Sequence, residues 1–358
     1  MKKNLLLCLL LFSNSSFASY QLETVLGDLD DAWSFVFLSE DKILYTEMSG
    51  KLKIASLSDK SITNIDNVPN VQHAGQGGLS EVVLDPDFKS NNIIYLSYSA
   101  KDKNGKSTLF LSSAELEKDS LINSKVLFEA KAPRRTPVHL GAKIAFLKDG
   151  TILLTSGDGF DHREKAQALD NHFGKVIRIN KDGSIPADNP FINIKNALPD
   201  IYSYGHRNMQ GLVVTKSGRV YEHEHGPRGG DEINIIESGK NYGWPVISYG
   251  INYSGTKFTD ITEAPGMEQP IHYCDPSIAP SGMDFITSDI YPGWKGNLLV
   301  GSLKFQYLNR CVIKNNNVVQ EEKLIDGLGR VRAVKQSPDG YIYVGVENVG
   351  IVKIIPNK

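Results

Sequence analysis

Short apolar stretches rich in β-branched and aromatic residues recur along this chain, and each is entered through a small polar turn. Asn91-Asn92 leads into Ile-Ile-Tyr-Leu-Ser-Tyr at 93–98, and Asp149-Gly150 leads into Thr-Ile-Leu-Leu-Thr-Ser at 151–156. Ser217-Gly218 leads into Arg-Val-Tyr, Asp339-Gly340 leads into Tyr-Ile-Tyr-Val-Gly-Val, and Ser39 to Tyr45 is a looser copy. A tight polar turn, usually closed by Gly, before an alternating stretch predicts a strand held in a hairpin. Helical periodicity is convincing nowhere; only Glu164 to Ala168 predicts a short helix. No Pro-rich linker or low-complexity block divides the pattern, which predicts one all-β domain. Recurrent turn-plus-strand units in a chain of this length point to a propeller, where each four-stranded antiparallel blade covers its neighbours' faces. Six blades over residues 19–358 take roughly 57 residues each. The irregular spacing by itself leaves seven blades or a two-sheet arrangement open.

The first residues follow a different pattern. Lys2 and Lys3 precede an apolar run, Leu5 to Phe12, that is too short to span a bilayer, and Ser16-Phe17-Ala18 has the small-x-small form of a cleavage site. Cys8 lacks the small neighbours of a lipidation signal. Residues 1–18 are thus expected to be a signal peptide and 19–358 the mature domain, with a bacterial periplasm as the compartment. No second long apolar stretch follows, so membrane insertion is not expected. A net charge of −2 removes nucleic acid and anionic membranes as main partners. Two cysteines follow the leader, Cys274 and Cys311, enough for one disulfide in an exported protein without requiring it.

Eight stretches then appear in a fixed order. They are Gly75-Gln76-Gly77-Gly78-Leu79 running to Asp85-Pro86-Asp87-Phe88; His139 running to Gly157-Asp158; and Gly174-Lys175-Val176-Ile177-Arg178-Ile179 with Asp182-Gly183-Ser184-Ile185-Pro186. Tyr204-Gly205-His206-Arg207-Asn208-Met209-Gln210-Gly211-Leu212 follows, then Glu224-His225-Gly226-Pro227 with Gly230-Asp231-Glu232-Ile233-Asn234. Asn241-Tyr242-Gly243-Trp244-Pro245, Ala279-Pro280-Ser281-Gly282 and Gly329-Arg330-Val331-Arg332 complete the series. Any one of them matches many folds by chance. Together they resemble the glucose/sorbosone dehydrogenase family of soluble quinoproteins, and the short connections are most similar to its bacterial aldose sugar dehydrogenases. The resemblance implies a six-bladed propeller with pyrroloquinoline quinone (PQQ) and calcium on one axial face, an aldose substrate and a separate electron acceptor.

The residue chemistry suits those expectations. PQQ carries three carboxylates, and planar arginine forks bind carboxylates in pairs of hydrogen bonds. Arg207, Lys304, Arg330 and Arg332 stand at matching positions, and Arg330 and Arg332, two apart, share one face of a strand. Gln76 and Asn208 match the polar contacts to the cofactor. Sugar oxidation needs a group to take a hydroxyl proton, and a neutral His oriented by a carboxylate does this. His139 and Asp158 flank one turn and match the family's base and orienting carboxylate. The resemblance assigns the catalytic calcium to the main-chain oxygens of Gly226 and Pro227, and a second, structural calcium to Glu232 and the main chain of Tyr242. Asp231 and Glu232 read equally well as ordinary loop carboxylates.

Other features compete for attention. His223 and His225 alternate with Glu222 and Glu224, the spacing of a strand-borne metal site, but no third His or Cys ligand stands nearby. His206 reads as a packed or hydrogen-bonded blade residue. Val138 stands where some relatives carry a sugar-contacting carboxylate, Lys143 where Arg is common, and at 272–276 only Tyr273 is aromatic. These departures point to an open, permissive sugar site. Two other classes remain. A propeller that only binds would have no reason to keep the six catalytic and cationic residues together, and a calcium-dependent lactone hydrolase would need carboxylates and Asn converging on an axial metal.

Overall fold

The computed structural model describes residues 20–27, 29 and 32–357; the expected leader lies outside them. Its strands form six antiparallel four-stranded sheets. The first is built from residues 32–64, the second from 79–129, the third from 144–204, the fourth from 209–274 and the fifth from 280–324. The sixth combines 331–356 with Tyr20–Gly27, which pairs with Gly350–Pro356 as its outermost strand. The inner strands are Ala32–Phe37, Leu79–Leu84, Ile144–Phe146, Met209–Val214, Pro280–Phe285 and Val331–Gln336. Each packs against the next around a ring, and the last packs against the first. This is the six-bladed propeller expected from the motifs, and it excludes seven blades and the two-sheet arrangement.

The turn-plus-strand units all occupy one structural position. Lys42–Glu47, Ile93–Lys101, Ile152–Ser156, Val220–Glu224 and Ile342–Val346 are the second strands of five different blades. The sixth, Leu298–Ser302, follows Gly296-Asn297, a turn of the same kind. Periodicity fails as a counting device because the connections differ in length. The third blade carries a long connection holding a 3-10 turn at Arg163–Gln167, where a short helix was expected, and the fourth carries another between residues 236 and 272.

The molecule has no single core. Its six buried apolar clusters each lie between two neighbouring blades. The cluster closing the ring joins Val25 and Leu26 to Phe35, Ile43 and Tyr45 of the first blade and to Tyr343 and Ile351 of the sixth. Pairing of the inner strand with its neighbour slips by a bulge near its start in five blades. Bulges bend a strand and re-aim its side chains, here at one end of the axis.

Gly350 opens the strand that accepts the N-terminal strand. Its φ is +116°, and a Cβ there would stand 2.0 Å from the Leu26 carbonyl oxygen. Gly350→Ala is therefore expected to push the closing strand off its partner and cost roughly 2–4 kcal/mol. Gly105→Ala, at a positive φ with open space around it, should cost only about 1 kcal/mol. Denaturant melts of both variants check the difference; equal losses would remove closure as the cause.

Candidate active site

Residues at or just before the start of every inner strand line a cavity of about 810 Å3, among them Trp33, Gln76, Gly141, Asn208, Ala279 and Arg330. Arg228, Lys304, Arg330 and Arg332 bring four cationic side chains to its wall, and Glu347 is the one carboxylate among the described lining residues. Arg330 Nε donates to Glu347 Oε2 at 2.5 Å and Arg332 Nε to Oε1 at 2.9 Å. The arginines expected to share a face thus meet on one carboxylate. Burial would raise Glu347, but the two guanidinium groups hold it below the usual carboxylate range. Arg332 also stacks 4.2 Å from the Trp33 ring centroid, whereas Lys304 is exposed over Phe305.

His139 and Asp158 are brought together. His139 Nδ1 lies 2.7 Å from Asp158 Oδ1. An ionised carboxylate only accepts, so Nδ1 carries the proton and Nε2 keeps a free lone pair. Asp158 is itself fixed by Trp244 Nε1, which donates to Oδ2 at 2.8 Å, and by the Phe160 N–H, which donates to Oδ1 at 2.9 Å. Burial would raise Asp158, but the His139 hydrogen bond and the Arg207 charge leave it below the usual range. Burial pushes His139 below the usual imidazole value, with Asp158 opposing the shift.

The backbone beneath this pair is unusual. His139 has φ +46°, in the left-handed region. Arg134, itself buried, holds it there by donating Nη1 to the carbonyls of Val138 (3.1 Å) and His139 (2.9 Å). Gly157 leaves room for it, since a Cβ there would stand 2.3 Å from the His139 carbonyl oxygen. Gln76 Oε1 accepts the His139 N–H at 2.9 Å and so ties His139 to the cavity wall. Sequence reasoning missed Arg134, whose only trace is its place in Pro-Arg-Arg-Thr-Pro, and it gave Trp244 no role within its motif. It also missed Phe160, whose ring stands edge-on to His139 at 5.2 Å and stacks on Tyr253.

Arg207 sits differently from the other cations. Its guanidinium is buried against Trp244, 5.3 Å from the ring centroid, and Nη1 donates to the carbonyls of His225 (2.8 Å) and Gly226 (2.9 Å). It braces the Gly226 loop from behind, while Gly226 and Pro227 themselves line the large cavity. Asn208 is buried at the cavity wall, where its Oδ1 accepts the Gly141 N–H at 3.3 Å.

A second, much smaller cavity joins Glu232 and Tyr242 with Glu224, Arg207 and Gly226. Glu232 faces Glu224 across paired strands, so it is no loop carboxylate. Asp231, also on that strand, accepts from the N–H groups of Gly226, Ile278 and Ala279 and from the Ser277 hydroxyl, which fully accounts for it. Burial raises Glu222, Glu224 and Glu232; the Glu224 charge raises the other two further, while Glu224 itself is raised to about 8 by burial and Asp158, with Arg207 opposing. Glu222 Oε1 and Asn234 Oδ1 are buried without a partner. Such a cluster fits a cation with oxygen ligands. The His223 and His225 alternation comes to nothing of the kind: His223 is fully buried, and His225 Nε2 lies 2.6 Å from the Pro280 carbonyl oxygen. His206 is packed as expected, stacked on Tyr242 and hydrogen-bonded to Ser203. Cys274 and Cys311 are both free thiols.

Comparison with known proteins agrees with this fold. The family model for glucose/sorbosone dehydrogenase matches residues 29–353. An aldose sugar dehydrogenase of Escherichia coli strain K12 is 37% identical over 334 residues, covering 91% of this chain and 90% of its own. Quinoprotein glucose dehydrogenase B of Acinetobacter calcoaceticus is 30% identical over 285 residues, 71% of this chain and 58% of its own. Among solved structures, the apo form of the soluble E. coli aldose sugar dehydrogenase superposes with a TM-score of 0.89 at 35% identity, covering 95% of this chain and all of that one. A PQQ-bound aldose sugar dehydrogenase from Streptomyces coelicolor shares the fold at 22% identity, with a TM-score of 0.75 over 95% of this chain and 99% of that one. With its six blades, its basic axial cavity and a family match across nearly all of its described length, the chain belongs to the glucose/sorbosone dehydrogenase family of oxidoreductases.

Proposed function

We propose that the protein is an exported quinoprotein that oxidises aldoses at the anomeric carbon to lactones, with PQQ and calcium as cofactors and His139 as general base. Residues 1–18 would be its cleaved leader and 19–358 one propeller domain in the periplasm. The observation that carries the reading is the His139–Asp158 pair, at 2.7 Å, beside a cavity with four cationic side chains on its wall. A tricarboxylate needs a site with surplus positive charge, and one Glu347 against Arg228, Lys304, Arg330 and Arg332 leaves that surplus. When bound, PQQ would supply the acceptor for the hydride that leaves the sugar, and calcium a Lewis acid beside the Gly226 and Pro227 carbonyls.

The chain's own residues do the rest. Lys304, Arg330 and Arg332 would hold the cofactor's carboxylates, with Gln76 and Asn208 completing the polar surround and Arg207 acting from behind the Gly226 loop. Asp158 keeps the proton of His139 on Nδ1, so Nε2 takes the proton of the anomeric hydroxyl. The imidazolium that results is stabilised by the carboxylate at its back. Phe160 and Tyr253, both exposed, give the sugar's apolar face a surface next to that nitrogen. A second calcium at Glu232 and the Tyr242 main chain would neutralise the buried carboxylates. Electrons then leave through an acceptor protein or small molecule.

Reconstitution with PQQ and calcium, followed by dye reduction over a panel of aldoses, tests the reading. Reduction is expected to depend on both cofactors, to disappear on calcium removal and to proceed with several sugars at comparable rates. No cofactor binding would instead leave a propeller that only binds. His139→Ala is expected to abolish turnover with cofactor affinity largely kept, measured by quenching of protein fluorescence. Because His139 works as the neutral base and burial lowers its pKa, the rate should fall on the acid side only below the ordinary imidazole value of about 6.5; a midpoint above it would contradict the assignment. Arg332→Ala should raise the cofactor Kd at least about tenfold, the loss of one charge-assisted hydrogen bond of about 1.5–3 kcal/mol, with little change in kcat at saturation.

A further inference from the structure

The outer edges of the fourth and fifth blades bring together three residues of different donor chemistry. His272 and Cys274 lie two apart on His272–Cys274, the outermost strand of the fourth blade, and so point to the same side. Glu321 lies on Asn317–Leu324, the outermost strand of the fifth. An imidazole nitrogen, the Cys274 sulfur and a Glu321 oxygen all lie within 4.8 Å of one another. None of the three lines the cavity.

We propose that these residues form a transition-metal site of zinc's chemistry that clamps the two blades together. In a tetrahedral site with bonds of about 2.0–2.3 Å, ligand atoms stand about 3.3–3.8 Å apart, so the three donors need only small side-chain rotations to close on one ion. His272 Nε2 is buried, and its near partner is Glu321 Oε2, 3.1 Å away in an ion pair. A nitrogen and an oxygen that face each other this closely as an ion pair are also placed to share a cation between them. Asn309 Nδ2 donates to Glu321 Oε1 at 2.5 Å and turns the other oxygen toward His272, as outer-shell partners of metal ligands do. The Glu321 side chain is 40% exposed, which opens a fourth position to water. A thiolate beside an imidazole selects a borderline-soft ion over calcium. Cys311 lies beneath, fully buried in the apolar cluster between the blades, and is not a ligand.

Cobalt titration of the purified, reduced protein tests this, because a thiolate bound to Co2+ gives an intense near-ultraviolet charge-transfer band. One equivalent of Co2+ should produce that band with the visible bands of tetrahedral cobalt, and one equivalent of Zn2+ should erase both. Cys274→Ser should abolish the charge-transfer band and Cys311→Ser should keep it, with folding of each checked by circular dichroism. Should Cys274→Ser fail to fold, His272→Ala serves instead and should weaken cobalt affinity at least about tenfold. Absence of the band, its survival in Cys274→Ser, its loss in a folded Cys311→Ser, or unchanged affinity in His272→Ala would each overturn the proposal. So would peptide mapping that finds Cys274 and Cys311 joined by a disulfide in protein isolated without reductant.

Discussion

Six inner strands converge on one axis, and the crowding there shapes both the fold and the site. Backbones that meet around a ring leave space for few side chains, and those that point inward cannot reach bulk water. On the axis the strands place Glu81 and Lys143, buried, with Lys143 Nζ 2.5 Å from Glu81 Oε2. Burial would raise Glu81, yet Lys143 and Lys335 keep it below its usual range, and burial also lowers Lys143. A buried pair like this contributes little net stability when intact, but loss of either partner leaves a bare charge inside the protein. The bulges at the starts of the inner strands serve the same constraint, because they let the chain turn away from the axis just where the cavity opens.

That opening separates stability from chemistry. Apolar burial is divided among six interfaces between blades, so the axial end need not be part of any core. Polar and strained features concentrate there: His139 at a positive φ, Arg134 spent on backbone carbonyls, and Arg330 and Arg332 sharing Glu347. Each of these would be costly in a blade interface. Here they are held by the blades around them, and they leave surplus positive charge and an oriented imidazole at one end of the axis.

The clamp proposed at the blade edges and the N-terminal strand address one weakness of the architecture. A ring of blades contacts only its neighbours, so it opens wherever one interface is weak. Tyr20–Gly27 closes the ring by pairing along a full strand with the sixth blade while Val25 and Leu26 pack against the first. A metal shared by His272, Cys274 and Glu321 would tie the fourth blade to the fifth, where the long connection between residues 236 and 272 separates the outermost strand from the rest of its blade.

The chain's local pattern determined a good deal. Polar turns before β-branched stretches marked the second strands of five blades, because a tight hairpin restricts backbone angles and strand alternation restricts burial, and both are properties of neighbouring residues. The order of the motifs carried the blade number and the expectation of His139, Asp158 and the arginine pair. Only the tertiary structure decided what those residues touch. Arg134 and Trp244 became supports of the His139–Asp158 pair, Trp244 from 86 residues away in sequence, a separation no local pattern records. Arg207, which read like the other cations, was drawn behind the Gly226 loop, and Glu232, which read equally as a calcium ligand or a loop carboxylate, was set against Glu224 across a strand pair. The physical reason is the same in each case: backbone preference is settled by a residue and its neighbours, whereas the partner of a buried charge is settled by which blades the ring brings side by side.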